Sequence, residues 1–60
     1  MNEQDARRIL AAFVTSDDRL EAADRYVSWP LYGDSKDRIS LDDIFTADEI
    51  EAMAWWMRNK

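Results

Sequence analysis

Carboxylates are the most numerous reactive groups in this chain. Three adjacent pairs, Asp17/Asp18, Asp42/Asp43 and Asp48/Glu49, have the residue types that general acid–base work uses. Catalysis also needs a poised base, nucleophile or metal in a pocket that excludes water. With no histidine and no cysteine, the sequence offers neither an imidazole base nor a thiolate. Each pair falls where the first turn of a helix favours negative charge. The pairs therefore read as helix-capping acids, and the chain as a binding protein rather than an enzyme, with no cofactor.

Metal and phosphate chemistry fare no better. The stretch from Tyr32 to Asp43 has the outline of an EF-hand calcium loop, with Ile39 as its central apolar residue and Asp43 as its last ligand. That register puts Tyr32 at the first ligand position, Lys36 inside the cage and Asp37 where glycine makes the sharp turn. A cage that lacks its first acid and contains a cation does not hold calcium, so no metal is expected. Gly33 is the only glycine, and a single glycine cannot build a phosphate-cradling loop.

The elements that position these groups must come from 60 residues, enough for one domain (1–60) with a thin core. Disulfides are excluded, which leaves well-packed helices or self-association to stabilise it. A hydrophobic content of 47% with three tryptophans predicts a folded chain despite 35% charged residues. No apolar run reaches the roughly 20 residues that cross a bilayer. The start MNEQDARR lacks the basic-then-apolar order of a secretion signal, and the expected setting is the cytoplasm.

Spacing predicts a first helix over Glu3–Thr15, capped by Asn2, with Ala6, Ile9, Leu10 and Phe13 on one face and a Glu3/Arg7 pair on the other. Ser16 caps a second helix with a stripe of Leu20, Ala23, Tyr26 and Val27 that ends before Pro30. A loop follows over WPLYGDSKD, then a short helical turn opened by Ser40. A capping box of Thr46 and Glu49, stapled by Phe45 and Ile50, starts the last helix, Ala47 to about Arg58. The predicted fold is all-α, a small three-helix bundle with one extra short helical turn.

Two binding surfaces follow. On a second helix Asp17, Glu21 and Asp24 form a ladder of carboxylates roughly 4.5 to 6 Å apart along the axis. Asp42, Asp43, Asp48, Glu49 and Glu51 form a second acidic group. These acids either solvate the outside or form an array that imitates phosphates. The aromatics Trp29, Tyr32 and Trp55 are the alternative contact set, either closing the core or anchoring a partner. Trp55 and Trp56 point about 100° apart on a helix, so Trp56 joins the core more easily and Trp55 is the outlier.

Thirteen acids against eight bases, a net charge of −5, repel nucleic acid and anionic membranes and favour a partner with a basic face. In size, acidity and helical character the whole chain resembles the small phage-encoded inhibitors of the type I anti-CRISPR kind, without sharing a motif with them. The resemblance implies a DNA-mimicking inhibitor that fills the basic nucleic-acid-binding groove of a host CRISPR effector complex in the host cytoplasm. The other reading is a homodimeric adaptor or antitoxin-like module joined through an aromatic seam, so the chain is expected to be a monomer or a homodimer.

Overall fold

The computed structural model describes residues 1–16, 19–30 and 35–59. Helix α1 (Glu3–Leu10) opens at Asn2, whose extended backbone lets its Oδ1 accept the Asp5 amide at 2.8 Å. That bond satisfies one of the amides a helix start leaves free. Glu3 and Arg7 pair at 2.9 Å, as do Asp5 and Arg8, while Ala6 and Leu10 are buried on the opposite side. The helix stops at Leu10 rather than Thr15. The amides of Ala11, Ala12 and Phe13 reach back only to the carbonyls of Arg8, Ile9 and Leu10, a tighter winding that ends a helix. Val14 and Thr15, both stiff at the β-carbon, then enter a strand.

Strand β1 (Val14–Ser16) pairs antiparallel with β2 (Arg19–Glu21), Thr15 lying opposite Leu20. Strand β3 (Val27–Ser28) pairs antiparallel with β4 (Ser40–Leu41), Val27 lying opposite Leu41. Among the described residues a bridge joins the two ribbons, the Leu20 amide donating to the Trp29 carbonyl at 2.9 Å. The four strands thus follow one another in space as they do in sequence. The Trp29–Pro30 peptide is cis. Helix α2 (Ala47–Asn59) packs against α1, so Ala52, Met53 and Trp56 meet Ala6 and Leu10 in the core with Phe13, Leu20, Val27 and Trp29.

The fold is mixed α/β, with two helices among the described residues, and the expected three-helix bundle is corrected accordingly. Where a second helix was expected between Ser16 and Trp29, the chain forms β2, bends and β3; where a helical turn was expected at Ser40, it forms β4. Burial explains the choice. A helix would have covered Ala23 and Tyr26, which are exposed here, and the extended route instead carries Val27 and Trp29 inward on either side of Ser28. Burying a tryptophan side chain of about 200 Å² at about 25 cal/mol per Å² is worth on the order of 5 kcal/mol. Covering the methyl group of an alanine gains only about 0.8 kcal/mol.

Among the described residues no helix is long and apolar enough to cross a membrane. Leu20, fully buried, and Ala23, exposed, give a direct test of the strand assignment. Leu20→Ala should cost about 2–5 kcal/mol in urea unfolding, a large part of the roughly 3–9 kcal/mol expected of a domain this size. Ala23→Lys should change stability by no more than about 0.5 kcal/mol, whereas in a helical bundle it would place a charge in the core.

Candidate functional site

Among the described residues the most connected polar group is the Arg25 guanidinium. Its Nη1 and Nη2 donate to the two oxygens of Glu49 at 2.9 and 2.6 Å, and Nη1 also donates to the Ile44 carbonyl at 3.1 Å. The guanidinium carbon lies 4.7 Å from the ring centre of Phe45 and 5.5 Å from that of Phe13, within range of cation–π attraction. Those two rings stack 6.5 Å apart. Only 22% of the Arg25 side chain and 18% of the Glu49 side chain remain exposed. Glu49 also completes the predicted capping box: it accepts the Thr46 amide at 2.9 Å, and its own amide donates to Thr46 Oγ1 at 3.1 Å. The expected staple of this box is not built as drawn, since Phe45 packs inward while Ile50 stays about half exposed.

The expected carboxylate ladder does not exist, because the helix that would carry it is absent. Glu21 ends β2 and pairs with Arg19 at 2.8 Å; Asp24 sits in the bend before β3 and pairs with Arg25 at 3.6 Å. Asp17 lies outside the described residues, as do Asp18 and Tyr32. Of the second acidic group, Glu49 is committed to Arg25 and Thr46, and Glu51 lines a groove farther along α2. Asp42, Asp43 and Asp48 remain exposed at the junction of β4 and α2.

That junction has a built centre. Ile44 is 86% exposed, yet both of its backbone groups are held by side chains, the carbonyl by Arg25 and the amide by Asp43 Oδ1 at 3.1 Å. Asp43 Oδ2 accepts the Tyr26 amide at 3.3 Å, and the Asp42 amide donates to the Tyr26 carbonyl at 3.3 Å, bringing the 53% exposed Tyr26 alongside. The junction thus holds the backbone of an exposed isoleucine in place, with Asp43 bonded to its amide. No lysine or arginine occurs in the sequence between Arg38 and Arg58, and Arg25 reaches in from the bend before β3 to Glu49. The base-free run was visible in the sequence. The role of Arg25 is not legible from spacing, because its partners Ile44 and Glu49 are distant in sequence.

The aromatic alternative divides. Trp29 is buried, and its indole N–H donates to the Lys36 carbonyl at 2.9 Å, so it closes the core and cannot join an interface seam. Trp56 is buried and Trp55 only partly so, as their angular separation requires. The Arg7 guanidinium lies 5.4 Å from the Trp55 ring centre. An open cavity of about 390 Å³ runs beside Trp55, lined also by Met1, Ile50, Glu51, Ala54 and Arg58. A second of about 620 Å³, lined by Lys36, Asp37, Ala54, Met57 and Arg58, lies on the other flank of the same helix. Among the described residues no group of three or more potential ligands is placed to hold a metal ion, and Tyr32, Gly33 and Asp34 of the calcium-like stretch lie outside them.

No family model, curated protein or solved structure matches the chain.

The Arg25 contact dictates an acid response. Hydrogen bonding from Arg25, then from the Thr46 amide, holds the Glu49 carboxyl down to about 2 from its ordinary 4.5, against the opposing effect of burial. The same bond raises Arg25, which stays charged throughout. Because the folded value lies below the ordinary one, the carboxylate contributes its full stabilisation above pH 4.5 and loses it as the pH falls through about 2. Glu49→Gln should lower the melting temperature at neutral pH and abolish the part of the acid-induced loss that falls in that window, measured by thermal melts across a pH series.

Proposed function

We propose that the chain is a non-enzymatic binding protein that inhibits a nucleic-acid-binding partner by setting the acidic face between β4 and α2 into the partner's basic groove. The observation that carries this reading is Ile44, 86% exposed with its backbone held by Arg25 and Asp43, in a stretch of sequence that carries Asp42, Asp43 and Asp48 and no lysine or arginine. Interfaces draw most of their energy from a few anchors enclosed by groups that keep water out. Here Ile44 and Tyr26 supply the anchor, and the aspartates supply the polar rim.

Charge sets the choice of partner. A net charge of −5 speeds encounter with a basic surface and disfavours nucleic acid itself. The resemblance in size and acidity to phage-encoded anti-CRISPR inhibitors, without the all-helical character first expected, makes a type I CRISPR effector complex the first partner to test, with target DNA as the ligand displaced. Inhibition on this reading is competitive and weakens as salt rises.

The test uses a purified type I effector complex and labelled target duplex. The chain should suppress duplex binding, and added duplex should displace the chain in turn. Ile44→Ala should weaken inhibition on the order of tenfold, corresponding to about 1.4 kcal/mol, and Asp42→Lys with Asp48→Lys should weaken it more, while circular dichroism shows both variants folded. Undiminished duplex binding at saturating protein would remove this partner. Full inhibition by the double lysine variant would remove the acidic face as the means.

A further inference from the structure

The outward side of α2 has a pattern that the acidic face does not use. Ala54 and Arg58 line both cavities, so they form a ridge with a groove on either flank. Ridges that fit into grooves are how helices pack on one another, and among the described residues Met1 and Ile50 are left about half exposed on this side, with Lys36 and Asp37 at its edge. Glu51 and Arg58 belong to none of the ion pairs among the described residues. They stand seven residues apart, two helical turns or about 10 Å.

We infer that this side of α2 pairs with the same side of a second copy, antiparallel, about a two-fold axis passing between Ala54 and Trp55. The charges choose this occupant. Glu51 and Arg58 are equally distant from that axis, so the two-fold sets Glu51 against Arg58 of the second copy and repeats the contact on the other side. A parallel pair would set like against like. The apolar groups obey the same symmetry: at the crossing, small Ala54 admits the Trp55 indole of the second copy, and Arg7 already steadies that ring from behind. A surface complementary to itself in both shape and charge is what a two-fold interface requires. A thin core without disulfides also gains most from being covered in this way.

Sedimentation equilibrium over a concentration series tests the pairing. The wild-type chain should pass from monomer to dimer. Glu51→Arg and Arg58→Glu should each weaken the dimer on the order of tenfold or more, and the two together should restore it, because the swap returns opposite charges to the same places. An independent reading needs no variant: with Trp29 and Trp56 buried, dilution of the wild type should red-shift tryptophan emission through Trp55 alone. A chain that stays monomeric throughout overturns the inference, and in that case any occupant of this face is a different protein. A dimer indifferent to both reversals, a double variant as weak as the single ones, or a dimer that dissociates without an emission change overturns it as well.

Discussion

The ion pair between Arg25 and Glu49 is the constraint on which the remaining architecture turns. It ties the bend before β3 to the first turn of α2, and the two aromatic rings beneath the guanidinium bring in the end of the α1 segment through Phe13. Glu49 serves the helix start and the arginine together, accepting the Thr46 amide with the same oxygen that receives Arg25 Nη1. Breaking such a partly buried pair from one side is worse than never having built it, since the surviving charge keeps the cost of its lost hydration without a counter-ion. In a chain with no cysteine and few strand residues, this contact takes over part of the role that a disulfide plays in other small domains.

The same arginine also shapes the surface. It is paired with Glu49 through Nη1 and Nη2, while its Nε is buried without a hydrogen bond; Asp42 and Asp48 stay exposed and outside the ion pairs of the described residues, and Asp43 holds the Ile44 and Tyr26 amides. By donating to the Ile44 carbonyl, Arg25 holds the backbone of the one strongly exposed isoleucine. An apolar side chain held outward in a fixed backbone loses little freedom on binding, and that loss is a main cost of forming an interface. Stability and display therefore depend on a single side chain, and a change at Arg25 affects both.

Legibility in the sequence followed the length of the elements. Both helix starts could be read because capping is local: Asn2 to Asp5 and Thr46 to Glu49 are contacts across three residues, and the Glu3/Arg7 pair spans four. The choice of Trp56 over Trp55 for the core followed from helix geometry alone. The middle of the chain could not be read. Strands of two or three residues show too few alternations to compete with a 3.6-residue stripe, and Leu20, Ala23, Tyr26 and Val27 happen to supply one. What decided the matter was distant, since Trp29 is buried through a bridge to Leu20 and a bond to Lys36. The site shared this fate. Asp42, Asp43 and Asp48 were found because composition reveals acids, whereas Arg25 and Ile44 matter through partners 24 and 19 residues away along the chain.

Two binding surfaces on one acidic chain raise the question of whether its charge permits both. An antiparallel α2 pair places the two acidic faces at the far ends of the helices, and thirteen residues at 1.5 Å per residue separate them by about 20 Å. At physiological ionic strength charges are screened over about 8 Å, so the faces repel one another weakly at that distance. The charges near the axis are the close ones, and there Glu51 meets Arg58. Salt acts on both surfaces: it weakens the attraction of the acidic face for a basic groove, and at the pairing face it screens the Glu51–Arg58 contacts together with the residual repulsion between two copies of charge −5, leaving the apolar seam. Pairing also presents two acidic faces at fixed separation, so a groove that engages one holds the second at high effective concentration. On the two proposals together, self-pairing covers one face of α2 and leaves the acids at its start available to a basic partner, so the thin core and the surplus of acid are compatible.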